Sequence, residues 1–508
     1  MKKRGFVAGM LVGVLLFTIG QAEETEKKKT ESESEGKLQE KLVEREAQAT
    51  IAGKPLDYAS TTGTLVLQDE KGKDKASIFF VAYTKKGIKD PTTRPITFVT
   101  NGGPGSSAIW LHAGLMGPQR VALDEEGFPE PPYKMINNEY SILDQTDLVF
   151  IDPVSTGFSR PAPGEDPKQF HGVKEDVESL AEFIRLYLSR FNRWTSPKFF
   201  AGESYGTTRA AALAKELHEE QHIYLNGIIL ISTVLDFQTL RFTDGNDLPY
   251  LLFLPTYTAS AWYHQKLPAD LQRRPLKQVL QEVEKWVMND YSQALLKGDR
   301  LEGQERQTTI RNLSRYTGLS ENFIDQANLR VSIFRFTKEL LRDQKRTIGR
   351  FDSRYKGIDK LAVGDHFDYD PAADVIFGAF TAGFNQYLRQ DLGWESTKRY
   401  DVLANVWPWK FGGAENGHPN VTDDLREVMS RNPDLRVFVA NGTYDLATPY
   451  FATVYTVDHL GLDPSLRSHL TMRDYGAGHM MYVHKPSLEK LKEDLAAFIH
   501  QTMHPAKN

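Results

Sequence analysis

Three residues far apart in the sequence have the types and the order that nucleophilic hydrolysis needs. Ser204 lies in the stretch 202–206, Gly-Glu-Ser-Tyr-Gly, between a short apolar run and an alanine-rich segment. Asp445 and His479 each follow a later apolar run. A serine hydroxyl becomes a good nucleophile when a histidine takes its proton and a carboxylate orients the imidazole. The residue types and their order therefore predict a catalytic triad of Ser204, Asp445 and His479.

Such a triad needs a sheet whose strand ends lie side by side. Short, continuously apolar runs separated by helical segments predict an α/β fold with a mostly parallel central sheet flanked by helices. These runs lie at 95–100, 148–151, 198–201, 227–231 and 435–440. Two earlier runs, 64–67 and 76–83, are separated by a turn and predict a hairpin. Because loops at the carboxyl ends of parallel strands converge on one edge, the three candidate residues can meet there.

The alternation of apolar runs and helices stops after residue 236. From 237 to 400 the pattern is helical and amphipathic, which predicts a large helical cap inserted over the functional edge of an α/β-hydrolase sheet. A separate helical domain with its own function is the alternative. The expected order of segments is signal peptide, charged linker, first part of the hydrolase core, cap and second part of the core. Their expected bounds are 1–22, 23–48, 49–236, 237–400 and 401–508.

The N-terminus has the features of a secretory signal. Three basic residues precede an apolar stretch from Gly5 to Ile19, which is shorter than the roughly 20 residues of a membrane-spanning helix. We therefore expect an exported protein, periplasmic or secreted, without stable membrane insertion after cleavage; an uncleaved anchor is the alternative. The chain has no cysteine, so no disulfide framework is possible. Its net charge of -5 argues against nucleic acid as a partner, and its oligomeric state stays open.

Four stretches resemble motifs of the serine carboxypeptidase family. Residues 100–107, Thr-Asn-Gly-Gly-Pro-Gly-Ser-Ser, resemble the family's Asn-Gly-Gly-Pro-Gly motif, and 202–205 resemble its nucleophile motif. Residues 147–159 resemble the family's strand and loop between these two motifs, and residues 478–480 resemble its histidine motif. The resemblance covers the predicted sheet portions and fades over the helical insertion.

The resemblance implies a role for each matched residue. Ser204, Asp445 and His479 would form the triad, and the backbone N–H groups of Gly103 and Tyr205 would form the oxyanion hole. The implied activity is release of the last residue of a peptide through an acyl-enzyme, favoured at acid pH. Peptide or protein C-termini would be the substrates, and no cofactor is expected.

The resemblance also implies that Asn101 and Glu203 hydrogen-bond the free C-terminal carboxylate of the substrate. Glu203 must be protonated for this, because two facing carboxylates repel each other. Leu115 departs from the family, since by its spacing from Asn101 it falls where many members have a second carboxylate-binding glutamate. Without that partner, two carboxyl groups cannot raise each other's pKa. We therefore predict a peptidase profile that is less acid-shifted than the family implies.

A second motif indicates a different chemistry. The stretch 218–222, His-Glu-Glu-Gln-His, matches the H-E-x-x-H pattern, in which His218 and His222 would bind zinc and Glu219 would act as the base. It lies at the end of the helix after the Ser204 turn and has no convincing third ligand downstream, so we expect no metal site. An esterase or lipase, an acyltransferase on the same fold, and a non-catalytic binding protein remain alternatives.

Overall fold

The computed structural model describes residues 37–412 and 418–505. Strands β1 to β14 are Leu42–Ile51, Lys54–Gln68, Asp74–Lys85, Ile96–Thr100, Gln119–Val121, Met135–Asn137, Asp147–Ile151, Arg160–Pro161, Lys198–Glu203, Gly227–Ile231, Thr347–Ile348, Lys356–Gly357, Arg436–Gly442 and Leu470–Tyr475. Helices α1 to α15 are Ile109–Leu111, Val173–Arg190, Tyr205–Glu219, Leu248–Leu252, Leu254–Tyr263, Ala269–Gln272, Leu276–Trp286, Ser292–Lys297, Gly303–Thr317, Glu321–Gln326, Ile333–Glu339, Pro371–Gln390, Thr422–Arg431, Tyr450–Asp458 and Lys485–Met503.

The largest sheet joins the N-terminal and C-terminal parts of the described chain. Its strand order is β1-β2-β3-β7-β4-β9-β10-β13-β14, and β8 pairs with β3. The strands from β7 to β14 along this order are parallel, whereas β1, β2 and β3 form antiparallel pairs and β3 is also antiparallel to β7. The predicted hairpin is present in β2 and β3, with Leu67 opposite Ala76. The sheet is therefore mostly parallel, as expected.

The parallel strands are buried on both faces. Every residue of β4, β7 and β10 is buried, as their continuously apolar sequences predict. Successive side chains of β9 alternate between two cores: Phe199 and Ala201 pack on one face with Phe498 of α15, and Phe200 packs on the other face with residues of α2 and α3. Helices thus cover both faces and leave the carboxyl ends of the strands free to carry the site.

The predicted linker at 23–48 is wrong in its last part. Residues Leu42–Ile51 form strand β1, which pairs along its whole length with β2. Most side chains of β1 stay exposed, while Ala49 and Ile51 near its end are buried. An edge strand gains its stability from backbone pairing and tolerates charged side chains, so a charged composition did not exclude a strand. The predicted signal peptide at 1–22 lies outside the described residues.

The insertion after β10 packs in two ways. Helices α4 to α11 surround a second core, which also includes side chains of α14 and of the loop before it, and in which the rings of Tyr257 and Phe336 stack at 4.0 Å. Helix α12 instead packs on the sheet's core through Phe380 and Phe384. The bounds of the cap, 237–400, remain a prediction. Within 37–412 and 418–505, no helix combines the length and the apolar content needed to cross a bilayer.

Candidate active site

The turn from β9 to α3 holds Ser204 in a backbone conformation that side chains rarely adopt. Ser204 has φ 58° and ψ -128°, in the strained half of the conformational map. A Cβ on Gly202 would lie 2.0 Å from the carbonyl oxygen of Gly206, and a Cβ on Gly206 would lie 3.1 Å from the carbonyl oxygens of Thr100 and Asn101. Glycine is therefore required by packing at 202, whereas a Cβ at 206 would be tight, and the turn has the geometry of a nucleophile elbow.

Two neighbouring strand ends bring Asp445 and His479 into contact. Asp445 follows β13, and His479 follows the adjacent parallel strand β14. Both side chains are buried, and His479 Nδ1 and Asp445 Oδ2 are 2.8 Å apart. The N–H groups of Ala447 and Thr448 donate to Asp445 Oδ1 at 2.7 and 2.9 Å. The carboxylate thus orients the imidazole, and Nε2 is the nitrogen left to take a proton.

The surroundings of His479 fix its ring and strengthen it as a base. Burial lowers the pKa of His479, but the charge of Asp445 and the hydrogen bond to it outweigh burial, so that this pKa lies above its ordinary value. The hydroxyl of Thr448 donates to Asp445 Oδ2 at 2.7 Å. The N–H of His479 donates to the carbonyl of Phe351 at 2.6 Å, and the two rings lie 4.7 Å apart. The imidazole is therefore held between a carboxylate and an aromatic ring.

Ser204 and His479 line one cavity of about 600 Å³. Among the described residues, Ser204 Oγ makes no hydrogen bond. Catalytic hydrogen bonds are often long in unliganded enzymes and shorten when substrate binds. The structure thus brings the three predicted triad residues to the same sheet edge, with the hydroxyl open to the cavity.

The loop after β4 lies directly against the elbow. A Cβ on Gly102 would lie 2.5 Å from the backbone nitrogen of Tyr205 and from the carbonyl oxygen of Glu203. Gly103 lines the cavity with φ 105°. Within the described ranges, the N–H groups of Gly103 and Tyr205 donate no hydrogen bond. Both are therefore available to a negative oxygen that forms next to Ser204.

Asn101 and Glu203 are in direct contact in the cavity wall. Asn101 Nδ2 donates to Glu203 Oε2 at 2.9 Å, and the hydroxyl of Tyr482 donates to the same oxygen at 2.6 Å. Asn101 Oδ1 accepts the N–H of Leu111 at 3.1 Å, which fixes the orientation of the amide. Glu203 Oε1 accepts no hydrogen bond from a described residue, so one carboxyl oxygen and one amide N–H remain for a ligand.

Burial makes Glu203 a weak acid. It raises the pKa of Glu203 to about 7, while the charge of His479 and the hydrogen bonds from Tyr482 and Asn101 act in the opposite direction. Glu203 is therefore protonated in the acidic range and up to near neutrality. In that form, Oε1 can donate a hydrogen bond to a carboxylate.

Leu115 does not line this cavity. It lies fully buried in the core on one face of the sheet, within a π-helical turn at His112–Met116. Counting along the sequence from Asn101 therefore leads to a core position. The side chains that hydrogen-bond Glu203 are those of Asn101 and Tyr482, and neither carries a charge that would repel it.

The stretch 218–222 lacks the helical geometry of a zinc-binding pair. Helix α3 ends at Glu219, and His222 has φ 52°, so the two histidines are not one helical turn apart. The carboxylate of Glu219 forms an ion pair with Arg431. No cluster of three or more metal-ligating side chains occurs in the part of the chain that the structure describes. The zinc alternative is not supported by this geometry.

Comparison with known proteins agrees with these features. The model of the serine carboxypeptidase family matches residues 53–491. The chain belongs to the serine carboxypeptidase family. The resemblance of the four sequence motifs is thereby confirmed at the level of the family.

Individual relatives of this serine carboxypeptidase family member are distant. Serine carboxypeptidase-like 27 of Arabidopsis thaliana is 22% identical over 431 residues, which is 82% of this chain and 80% of that protein. Serine carboxypeptidase-like 22 and serine carboxypeptidase-like 11, also from Arabidopsis thaliana, are 26% and 29% identical but match only 37% and 38% of their own lengths.

A solved structure supports the fold. The crystal structure of Kex1Δp, a prohormone-processing carboxypeptidase from Saccharomyces cerevisiae, superposes with a TM-score of 0.52 at 17% identity. The match covers 88% of this chain and 92% of that chain. The predicted α/β-hydrolase fold, with a mostly parallel sheet and flanking helices, is thus confirmed.

Sequence reasoning missed two groups that support the site. Tyr482 contacts Glu203 from a 3₁₀ turn just after the histidine, and no motif identified it. Thr448 contacts Asp445 from three residues downstream, a spacing typical of local side-chain hydrogen bonds. That spacing was the one signal in the sequence that could have indicated Thr448.

Proposed function

We propose that this protein is a serine carboxypeptidase that releases the C-terminal residue of peptides through an acyl-enzyme. The observation that carries the proposal is the neutral pair of Asn101 and Glu203 beside Ser204. A buried carboxyl group with a pKa near 7 is suited to binding a carboxylate, whereas a site for neutral esters does not need such a group.

In the proposed reaction, Ser204 Oγ attacks the carbonyl carbon of the last peptide bond while His479 Nε2 takes the hydroxyl proton. The carbonyl oxygen becomes negative and is stabilised by the N–H groups of Gly103 and Tyr205. The C–N bond then breaks as His479 returns the proton to the departing amine, which leaves as a free amino acid. Water attacks the resulting ester while His479 takes the proton of that water. The bond between the acyl carbon and Ser204 Oγ then breaks, the shortened peptide leaves as a carboxylic acid, and His479 returns the proton to Ser204 Oγ.

The substrate's terminal carboxylate is bound by the side chains of Asn101 and Glu203 in this proposal. One Nδ2–H group of Asn101 and the Oε1–H group of neutral Glu203 each donate a hydrogen bond to this carboxylate. Binding at this point sets which bond lies over Ser204, so that one residue is removed at a time. Peptides and protein C-termini with a free carboxylate are therefore the proposed substrates.

The test compares an N-blocked dipeptide with its C-terminal amide. We expect kcat/KM for the free acid to exceed that for the amide by at least about tenfold, because the amide leaves buried polar groups unpaired. Ser204→Ala should abolish turnover of both. Equal cleavage of acid and amide, or ester hydrolysis without any peptidase activity, would contradict the proposal and favour an esterase or acyltransferase.

We also propose that the chain is exported after cleavage behind Ala22. The basic and apolar N-terminal sequence supports this. N-terminal sequencing of the protein recovered from its producing cells should begin at or near Glu23. A mature protein that begins at Met1 would contradict the proposal.

A further inference from the structure

The cavity contains a cation that the proposed reaction does not use. Arg350 lines the cavity together with Ser204 and His479. Its backbone is anchored on both sides, since its N–H donates to Asp370 Oδ1 at 3.1 Å and its carbonyl accepts the N–H of Leu446 at 2.9 Å. The position of Arg350 beside the reacting groups is thus fixed by the fold.

The guanidinium of Arg350 has no ion-pair partner among the described residues. It lies over the ring of Phe351, 5.6 Å from the ring centre. Burial lowers the pKa of Arg350, and the charges of Asp370 and Asp445 act in the opposite direction, but neither carboxylate accepts a hydrogen bond from the guanidinium. The buried arginines Arg209 and Arg354, by contrast, are paired with carboxylates at 2.7 Å.

The two nearby carboxylates are already engaged. Both oxygens of Asp370 accept backbone N–H groups, those of Arg350, Phe351 and Ala372. Asp445 is bound by His479 and by its own loop. Burial also raises the pKa of Asp370, which weakens it as a counter-charge. The donors of the Arg350 guanidinium therefore remain available to a ligand.

Aromatic side chains line the same cavity. Trp110 and Phe377 are in contact there, with ring centres 4.8 Å apart. Phe351 and Asp370 also line it, together with Arg350. The cavity therefore combines aromatic rings with the guanidinium of Arg350.

We propose that Arg350 binds an anionic side chain of the substrate, an aspartate or glutamate flanking the scissile bond. This inference rests on the proposed carboxypeptidase function and specifies its substrate class. The planar guanidinium can donate two parallel hydrogen bonds to a carboxylate. The enzyme then removes the last residue preferentially from peptides that have Asp or Glu on one side of the scissile bond.

The test uses two sets of N-blocked tripeptides with a free C-terminus. In one set the penultimate residue is Asp, Glu, Asn or Gln before a C-terminal Leu; in the other set the last residue varies behind Leu. In at least one set, we expect the wild type to cleave the Asp or Glu peptide with a kcat/KM about 10- to 100-fold higher than that for the matching Asn or Gln peptide. This quotient is the acid-to-amide ratio. The two sets locate the acidic side chain on either side of the bond.

Substitutions of Arg350 separate recognition from structure. We expect Arg350→Gln to reduce the acid-to-amide ratio to near 1, and Arg350→Lys to retain part of it. Arg273→Gln removes an exposed arginine of the cap and is the matched control for net charge. Thermal melting of each variant identifies a loss of folding, and the ratio is then read from Arg350→Lys.

The ratio also distinguishes this inference from the proposed function. Cleavage of the peptides with Asn or Gln reports the carboxypeptidase activity itself. A wild type without acid preference in either set, or a preference that persists in Arg350→Gln, overturns the inference. If no peptide is cleaved, the proposed function fails. The inference is then tested by peptide binding to the Ser204→Ala protein, and equal binding of the Asp or Glu peptides and their Asn or Gln counterparts overturns it.

Discussion

Replacing Glu203 with glutamine tests whether the neutral form of this side chain binds the substrate. Burial moves the pKa of Glu203 from 4.5 to about 7, and at 1.36 kcal/mol per unit this disfavours the ionised form by about 3 kcal/mol. The ionised fraction is then roughly 1% at pH 5 and roughly 90% at pH 8. If only the neutral form binds a carboxylate, kcat/KM of the wild type must fall about tenfold per pH unit above 7. Glutamine is neutral at every pH, so Glu203→Gln should not show this fall.

The assay is kcat/KM from pH 5 to 9 for an N-blocked dipeptide with a free C-terminus. We expect Glu203→Gln to lie within about tenfold of the wild type at pH 5, because the amide still donates a hydrogen bond. At pH 8 it should equal or exceed the wild type. Glu216→Gln on α3, whose carboxyl pKa is also raised by burial but which lies outside the cavity, is the matched control.

The C-terminal amide of the same dipeptide provides an independent control. It has no carboxylate for an ionised Glu203 to repel, so its slow cleavage by the wild type should not decline above pH 7. A decline with the free acid that is the same in the wild type and in Glu203→Gln would refute the reasoning. The alkaline limb would then belong to another group.

Three further predictions concern groups around the site. Tyr482→Phe removes a donor that stabilises ionised Glu203, so the apparent pKa of the alkaline limb of the kcat/KM profile should increase by about one unit; a decrease in this pKa contradicts the prediction. Arg209→Met leaves Asp176 buried without its 2.7 Å partner, and the free energy of unfolding in a denaturant titration should drop by about 3–5 kcal/mol and recover in a double variant with Asp176→Leu; a loss that persists in the double variant contradicts this. His218→Ala and a chelator should leave peptidase activity unchanged, and a loss that added zinc restores would revive the metal alternative.

The proximity of the three triad candidates could be predicted from the sequence because their positions follow from strand order. Asp445 follows the apolar strand β13, and His479 follows β14, an edge strand of mixed apolar and polar residues; adjacent parallel strands place residues that follow them at one edge. The glycines of the elbow could be predicted because a side chain at Gly202 has no room. These features depend on local sequence and on sheet topology, which apolar runs reveal.

Residues that reach the site from irregular segments could not be predicted. Tyr482 lies in a short 3₁₀ turn, and Arg350 lies in a loop of the insertion between β11 and β12. The directions of their side chains depend on tertiary packing, which has no periodic signal in the sequence. Strand β1 was missed for a related reason, since its pairing with β2 is a backbone interaction that a charged composition hides.

The position of Leu115 changes the physical basis of the predicted pH profile. In a pair of carboxyl groups, the pKa of one is raised by the charge of the other, so the effect depends on the protonation state of the partner. For Glu203, the largest cause is burial, which acts at every pH. Glu203 therefore stays neutral up to about pH 7 without a second carboxyl group. This differs from the premise drawn from Leu115, that its pKa would not be raised, and the pH profile itself stays a prediction.

Glu203 is also coupled electrostatically to His479, the proposed base. The ionised carboxylate of Glu203 raises the pKa of His479, and the protonated imidazole lowers the pKa of Glu203. When Glu203 takes up its proton, the imidazole loses that stabilising charge, and its pKa falls toward its ordinary value. The neutral carboxyl that the substrate carboxylate requires therefore favours the neutral imidazole that Ser204 requires.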